Sequence, residues 1–293
     1  MAWTTSDKVM DLRERSHAFD VFAEMMDGWR RHLSGRNASL LAFFSFLSIF
    51  PLMLAAVSIL GFVLEDNEDL QRKVIDSAAK EIPVLGEQLA QNTEAIDGSI
   101  LALIIGLGGA LWASTKAFVG LEGALDDTWE VPVDDRDGLP VQRGKALLGL
   151  AIIAVSQVGT FVLAGIVNAA GLHAFSNVAL IGATVVINIA VIAALYRFLT
   201  SHPTTWGDVW LGAVFAGIVF TGLQHFGTLI VTEFAKSDNQ AMGTINTILG
   251  LLAWLSLIGI TVIMCAELNA ARKRLRLDPN AGSNATLDIA IRT

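Results

Sequence analysis

The sequence predicts an all-α polytopic membrane protein with six transmembrane helices, and three observations carry that prediction. Hydrophobic residues make up 53% of the 293-residue chain and charged residues only 16%, with a mean hydropathy of +0.56. A soluble domain carries roughly a quarter of its residues charged. Apolar stretches of the length that crosses a hydrocarbon core as a helix, about 20 residues, recur six times. The charges are gathered in the ends and loops between them.

Residues 1–37 read as a cytoplasmic amphipathic segment. Phe19, Phe22, Met26, Trp29 and Leu33 recur at three- and four-residue steps and form one apolar stripe, with Arg30, Arg31 and Arg36 around it. Such a helix either lies in the membrane interface, basic residues toward headgroups, or packs on the ends of the bundle. The transmembrane domain covers 38–271, with spans expected at 39–64, 99–124, 145–171, 177–199, 207–232 and 242–270. Pro51 falls near the middle of the first span, where a proline removes a backbone donor and makes a hinge or a packing bend. Ser45 and Ser48 stand close enough to serve freed carbonyls.

Between the first two spans, 65–98 is a polar extracytoplasmic loop. Leu70, Val74 and Ala78 share a face, Pro83 interrupts, and Leu85 and Leu89 resume it, so the segment reads as two short amphipathic helices. In the fifth span, Gly212 with Ala216 and Ala213 with Gly217 place small residues four apart, which lets helices approach closely. Residues 272–293 read as a cytoplasmic flexible tail, with turn formers and little pattern after Arg276.

The basic residues orient the chain. With the N-terminus inside, fifteen of the twenty Lys and Arg residues lie on the inner side and four on the outer, which places both termini in the cytoplasm. The remaining one, Lys116, falls within a span. A net charge of −8 argues against nucleic acid as a partner, since that needs a broad basic face. The single cysteine, Cys265, excludes an intramolecular disulfide. No cleavable signal peptide is evident, because the first apolar run is too long and follows a charged segment.

Enzyme signatures fail one by one. GxSxG, HExxH and paired CxxC do not occur. "GLPVQRGKA" at 138–146 is not a phosphate loop, because its glycines are misspaced and Ala146 stands where a hydroxyl should bind magnesium. The carboxylates of "DDTWEVPVDDRD", 126–137, lack the companions of a metal site and read as a solvated loop. The expectation is therefore a non-enzyme without metal or cofactor.

Polar residues inside the spans are the candidate site. A charge near the bilayer centre costs about 2.5–3.5 kcal/mol on insertion scales, so each demands a reason. Lys116 lies about 7–8 Å from the inner boundary at the helical rise, within reach of snorkelling. Its alternative is an internal partner. Glu122 is six residues on, about 240° around the helix, and faces elsewhere. Glu267 and Arg197 lie at comparable depth, and Lys116, Glu267 and Arg197 together would form either a helix lock or the inner end of a polar route. Gln157, Asn188, Gln224 and His225 extend that route as helix-to-helix hydrogen-bonding groups or cavity lining.

Four stretches in order then resemble one family. "AFFSFLSIFPLML" is similar to the first helix of the YihY/BrkB family of bacterial inner-membrane proteins. "LWASTKAFVGLEGALDDTWEVP" resembles its second helix and exit, with Trp112, Ser114 and Trp129 in place. "LYRFLTSHPTTWGDVWLGAVFAG" is similar to its next loop and helix through Tyr196, Pro203, Trp210, Gly212 and Ala213. "LLAWLSLIGITVIMCAELNA" resembles its closing segment, carried by Ala266, Glu267, Leu268, Asn269 and Ala270. Two departures stand out: Phe43 or Phe44 replaces an aromatic hydroxyl, and Cys265 stands where glycine is usual.

The resemblance covers most of 15–275 and implies a multi-pass protein of the bacterial inner membrane. It brings associations with envelope integrity, serum resistance and lipid transport, and also a ribonuclease label. Three functions are weighed on this footing. The first is a transporter or flippase for lipid or another amphiphile, with membrane lipids as partners. The second is a structural or partner-binding membrane protein, as a homo-oligomer or with an envelope protein. The third is a membrane-associated nuclease or hydrolase.

Overall fold

In the computed structural model, residues 7–63, 100–169, 173–235 and 240–278 are described. Among them the chain is all helix apart from short connections. The helices are α1 (Asp7–Arg15), α2 (His17–Arg31), α3 (Ser34–Val63), α4 (Ile100–Thr128), α5 (Leu139–Ala169), α6 (His173–Phe198), α7 (Trp206–Ala235) and α8 (Gln240–Leu277). Helices α3 to α8 each contain a stretch long and apolar enough to cross a membrane. Their outer positions carry exposed Ile104, Val155, Val186, Phe215, Ile218 and Leu249, side chains that belong in lipid rather than water. The expected amphipathic pair at 65–98 and the tail from 279 lie outside the described residues.

Helix ends run past the expected spans where polar residues find partners. Helix α5 starts at Leu139 rather than 145, which puts Arg143 and Lys145 inside it. Helix α8 continues past residue 271 to Leu277, carrying Arg272 to Arg276 as helical residues rather than as the start of a tail. Cations in a last turn are favourable against the negative end of the helix dipole.

The chain forms two compact units, Met1–Leu40 with Phe118–Leu223 and Ile258–Thr293, and Leu41–Ala117 with Gln224–Leu257. In the second unit α3 is helical through Pro51, and the ring packs on Gly109 of α4, where an added Cβ would stand 3.1 Å from Pro51 Cβ. Ser48 Oγ donates to the Ser45 carbonyl at 2.7 Å. Gly227 of α7 lies against the indole of Trp254 on α8.

The first unit packs on small residues. Ala38, Ala124 and Ile263 join α3, α4 and α8, with Trp29 of α2 laid against them. The Ala38 carbonyl comes so near Gly259 that a Cβ there would stand 2.9 Å from it. Gly212 faces the Cys265 carbonyl and the Asn269 amide, and Gly217 faces the backbone of Ile189, so the small residues of α7 do mark close approaches, to α8 and to α6. Asn269 fastens the first of these by accepting from Gly212 N at 2.7 Å and donating to the Val209 carbonyl at 3.0 Å. Tyr196 Oη of α6 donates to the Val262 carbonyl of α8 at 2.5 Å.

Candidate functional site

Within the first unit, ionisable side chains gather around the last two turns of α4. Four acidic residues there are almost wholly removed from solvent: Glu24, Glu122, Asp126 and Glu267 are each at most 1% exposed. A buried carboxylate is costly unless hydrogen bonds and countercharges meet it, so its partners define what the site can do.

Glu267 is met from the end of α2, from α3, from α4 and from its own helix. Its Oε1 accepts from Ser34 Oγ at 2.8 Å and from Thr128 Oγ1 at 3.4 Å, and lies 2.8 Å from His32 Nδ1. Its Oε2 lies 3.9 Å from an Arg274 nitrogen about two turns along α8. Gly28 of α2 leaves the space for this carboxylate, since a Cβ there would stand 2.5 Å from Glu267 Oε2 and 3.0 Å from Arg274. Arg274 in turn donates to Glu24 at 3.1 Å, to the Thr128 carbonyl at 3.2 Å and to Glu130 at 3.4 Å. Glu24 also faces Arg31 at 3.2 Å and Arg13 at 3.6 Å. Arg13, itself buried, holds Asp20 and Asp27 at 2.7 and 3.3 Å. One network therefore ties α1 and α2 to α3, α4 and α8.

Both ring nitrogens of His32 face carboxylates, Nδ1 toward Glu267 and Nε2 toward Glu130 at 3.4 Å. Only the imidazolium supplies a donor to each. Burial alone pushes the His32 pKa down, but Glu130 and Glu267 outweigh it and hold the group above its ordinary value. The hydrogen bond from His32 brings Glu130 down to about 2, helped by Arg274 and Arg31. Two left-handed backbone residues flank the contact, Leu33 at φ 52° and Glu130 at φ 56°. Non-glycine residues hold such conformations only where their surroundings fix them.

The pair predicts a pH profile. A raised histidine stabilises the fold fully below its unfolded value of 6.5, and the contribution is lost as pH rises through the folded value. A lowered Glu130 stabilises above its unfolded value of 4.5, and its contribution is lost as pH falls toward about 2. Thermal unfolding in detergent, followed by tryptophan fluorescence, should therefore decline in midpoint above about pH 6.5. His32→Gln should flatten that decline; an unchanged slope would show that His32 is not its source.

A second branch closes the junction of α4 and α6. Asp126 accepts from Ser201 N at 2.7 Å, Ser201 Oγ at 2.8 Å and Thr200 Oγ1 at 2.9 Å. The expectation of a solvated acidic loop over 126–137 therefore holds for Asp134 and Asp135, which are exposed, but not for Asp126. Lys145 of α5 pairs with Asp137 and donates to the Thr200 and Leu199 carbonyls at 2.9 and 3.2 Å. Trp129 stacks on His202 at 5.2 Å, with Lys273 over its ring, and Lys273 pairs with Asp208 at 3.0 Å. Burial and the Lys273 charge hold the His202 pKa below its ordinary value.

The sequence-predicted residues are placed unevenly. Glu267 is at the centre of the network. Arg197 does not join it; its guanidinium lies over the Trp206 ring at 4.4 Å. Lys116 and Gln157 are exposed on their helices, and Gln224 is half-buried on α7. Asn188 donates to Thr221 Oγ1 at 2.9 Å, a bond between α6 and α7. The side chain of His225 lies outside the described residues. Glu24, His32, Asp126, Glu130 and Arg274, which complete the network, carry no local signal beyond charge.

Among the described residues, six helices long and apolar enough to span, with a buried polar network at their charged ends, define a polytopic α-helical membrane protein. The chain belongs to the Virulence factor BrkB family, whose model matches residues 25–287. It is 23% identical over 266 residues to an uncharacterized protein of Dickeya dadantii (strain 3937), covering 84% of this chain and 80% of that one. It is also 23% identical over 267 residues to a protein of Bacillus subtilis (strain 168) named as ribonuclease-like, YfkH, covering 87% and 96%. No solved structure matches.

Proposed function

We propose that this protein moves a lipid or another amphiphile between the two sides of a bacterial inner membrane, without catalysing a covalent reaction. The observation that carries the reading is the depth at which charge is placed. Glu122, Asp126 and Glu267 are almost wholly buried on helices otherwise apolar enough to span, and intramembrane ionisable groups are retained where function needs them. In this reading both termini are cytoplasmic, as the Lys and Arg distribution favours. A headgroup phosphate meets exposed Lys116, a cation that lies along a span and within reach of the interface.

The test is purified protein in liposomes with a labelled phospholipid in one leaflet. Wild type should redistribute the label faster than empty liposomes, and Lys116→Ala, matched for thermal stability, should lose most of that rate. Movement no faster than in empty liposomes, across phospholipids of different headgroups, would reject the reading. A second reading, a structural or partner-binding membrane protein, is favoured by one observation: the α1–α2 segment is fastened to α8 by the Arg274–Glu24 ion pair and by His32 against Glu267, with both carboxylates buried. Nuclease activity is suggested by the name of the Bacillus relative, and RNA cleavage by the same preparation would overturn the non-enzymatic reading.

A further inference from the structure

Among the described residues of the network, Glu122 is the one carboxylate left without a hydrogen bond. It lies on the buried face of α4 with Phe118 and Asp126, at 1% exposure, and neither of its oxygens has a hydrogen-bond partner. The nearest cation is Lys145 Nζ, 3.8 Å from Oε1. That ammonium has three donors, and three acceptors already take them: Asp137 Oδ2, the Leu199 carbonyl and the Thr200 carbonyl. The charged groups facing Glu122 are therefore Lys145 from α5, Asp126 one turn along α4 and Asp137 from the α4–α5 connection, one cation against two further carboxylates. Asp126 is fully satisfied by Thr200 and Ser201 and has no donor to lend.

We infer that Glu122 is a proton-binding site, loaded while Asp137 and the carbonyls of Leu199 and Thr200 just past α6 hold Lys145 and unloaded when Lys145 turns to Glu122. Loading moves one proton from a hydronium ion, which becomes water, onto a Glu122 carboxylate oxygen. Unloading returns it to water as the ammonium supplies the countercharge. The exchange needs only a swing of the lysine stem, because Nζ is already within 3.8 Å. The mechanical consequence is local: releasing Lys145 from Leu199 and Thr200 unfastens α5 from the end of α6, beside the Asp126 junction. This inference goes beyond lipid movement and does not need it, since a protein that transports nothing could still bind the proton.

The experiment uses the full-length protein in lipid nanodiscs, without a transport assay. Infrared spectra should show the carbonyl stretch of a protonated carboxylic acid that shifts in D2O, fades as pH is raised and is absent from Glu122→Gln. In parallel, a hydrophobic carbodiimide, which reacts with protonated carboxyls, should label Glu122 in peptide mass spectra of the wild type, with labelling falling as pH rises. Asp137→Asn removes one carboxylate and frees a Lys145 donor, so its labelling curve should move toward acid pH. The wild-type labelling is residue-assigned, so it decides the matter even if Glu122→Gln does not fold. No acid band together with no adduct at Glu122, or an adduct independent of pH, would overturn the proposal.

Discussion

Glu267→Ala is expected to remove most of the stability of the first unit. The carboxylate is fully buried and met by His32 at the end of α2, Ser34 of α3, Thr128 of α4 and Arg274 of its own helix. Deleting one partner of a buried charged pair costs about 3–5 kcal/mol, because the groups left behind cannot rehydrate. Here the imidazolium of His32 loses its shorter carboxylate contact and two hydroxyls lose an acceptor. Glu267→Gln separates charge from shape, since its amide oxygen can still accept from Ser34 while the countercharge is gone. The expected order of thermal midpoints is wild type, then Gln, then Ala. A double-mutant cycle of Glu267→Ala with Arg274→Ala should show coupling smaller than that of Glu267 with His32, in line with 3.9 Å against 2.8 Å. Equal midpoints for wild type and Glu267→Ala would mean that the network contributes nothing to the fold.

The spans are legible from the length of apolar runs alone, because in a bilayer the backbone must satisfy itself and only helices of sufficient length do so. Glu267 and the small-residue pairs of α7 are legible for a related reason: a charge or a glycine within an apolar run has few explanations. The rest of the site is not. Periodicity assigns faces by apolarity, so the Phe19, Phe22, Met26, Trp29 and Leu33 stripe reads as a face for the membrane interface or for the bundle ends. In the structure Trp29 packs on the core, Phe22 and Leu33 are exposed, and Val21, Glu24, Met25 and Gly28 turn inward. Three guanidiniums around Glu24 make a carboxylate the buried group, and all three come from residues no local pattern connects to it. Asp126 is hidden in the same way, since its donors stand some 75 residues later at the end of α6. Pairings at such separations leave no trace in spacing.

Glu24→Ala is expected to release α1 and α2 while the six spans stay assembled. Glu24 is the shared counter-ion of Arg13, Arg31 and Arg274, so its loss leaves three cations facing one another. Arg274 retains Glu130 and Glu267, and Arg13 retains Asp20 and Asp27, so neither helix terminus of the network is stripped bare. What disappears is the ion pair between α2 and α8, leaving His32 against Glu267 and Trp29 against the apolar cluster as the remaining ties. At about 3–5 kcal/mol for a broken buried pair, local opening of α2 becomes more frequent by a factor on the order of a hundred or more. Hydrogen exchange in nanodiscs should report that increase over residues 17–31, with exchange in α4, α7 and α8 nearly unchanged. Unaltered protection of α2 would mean that its apolar contacts, not the ion pairs, hold it. The same variant separates the two readings of function. If labelled phospholipid still crosses the bilayer at the wild-type rate, α1 and α2 are a docking element and the route lies in the spans. If movement stops while the spans remain folded, the buried network couples those helices to transport.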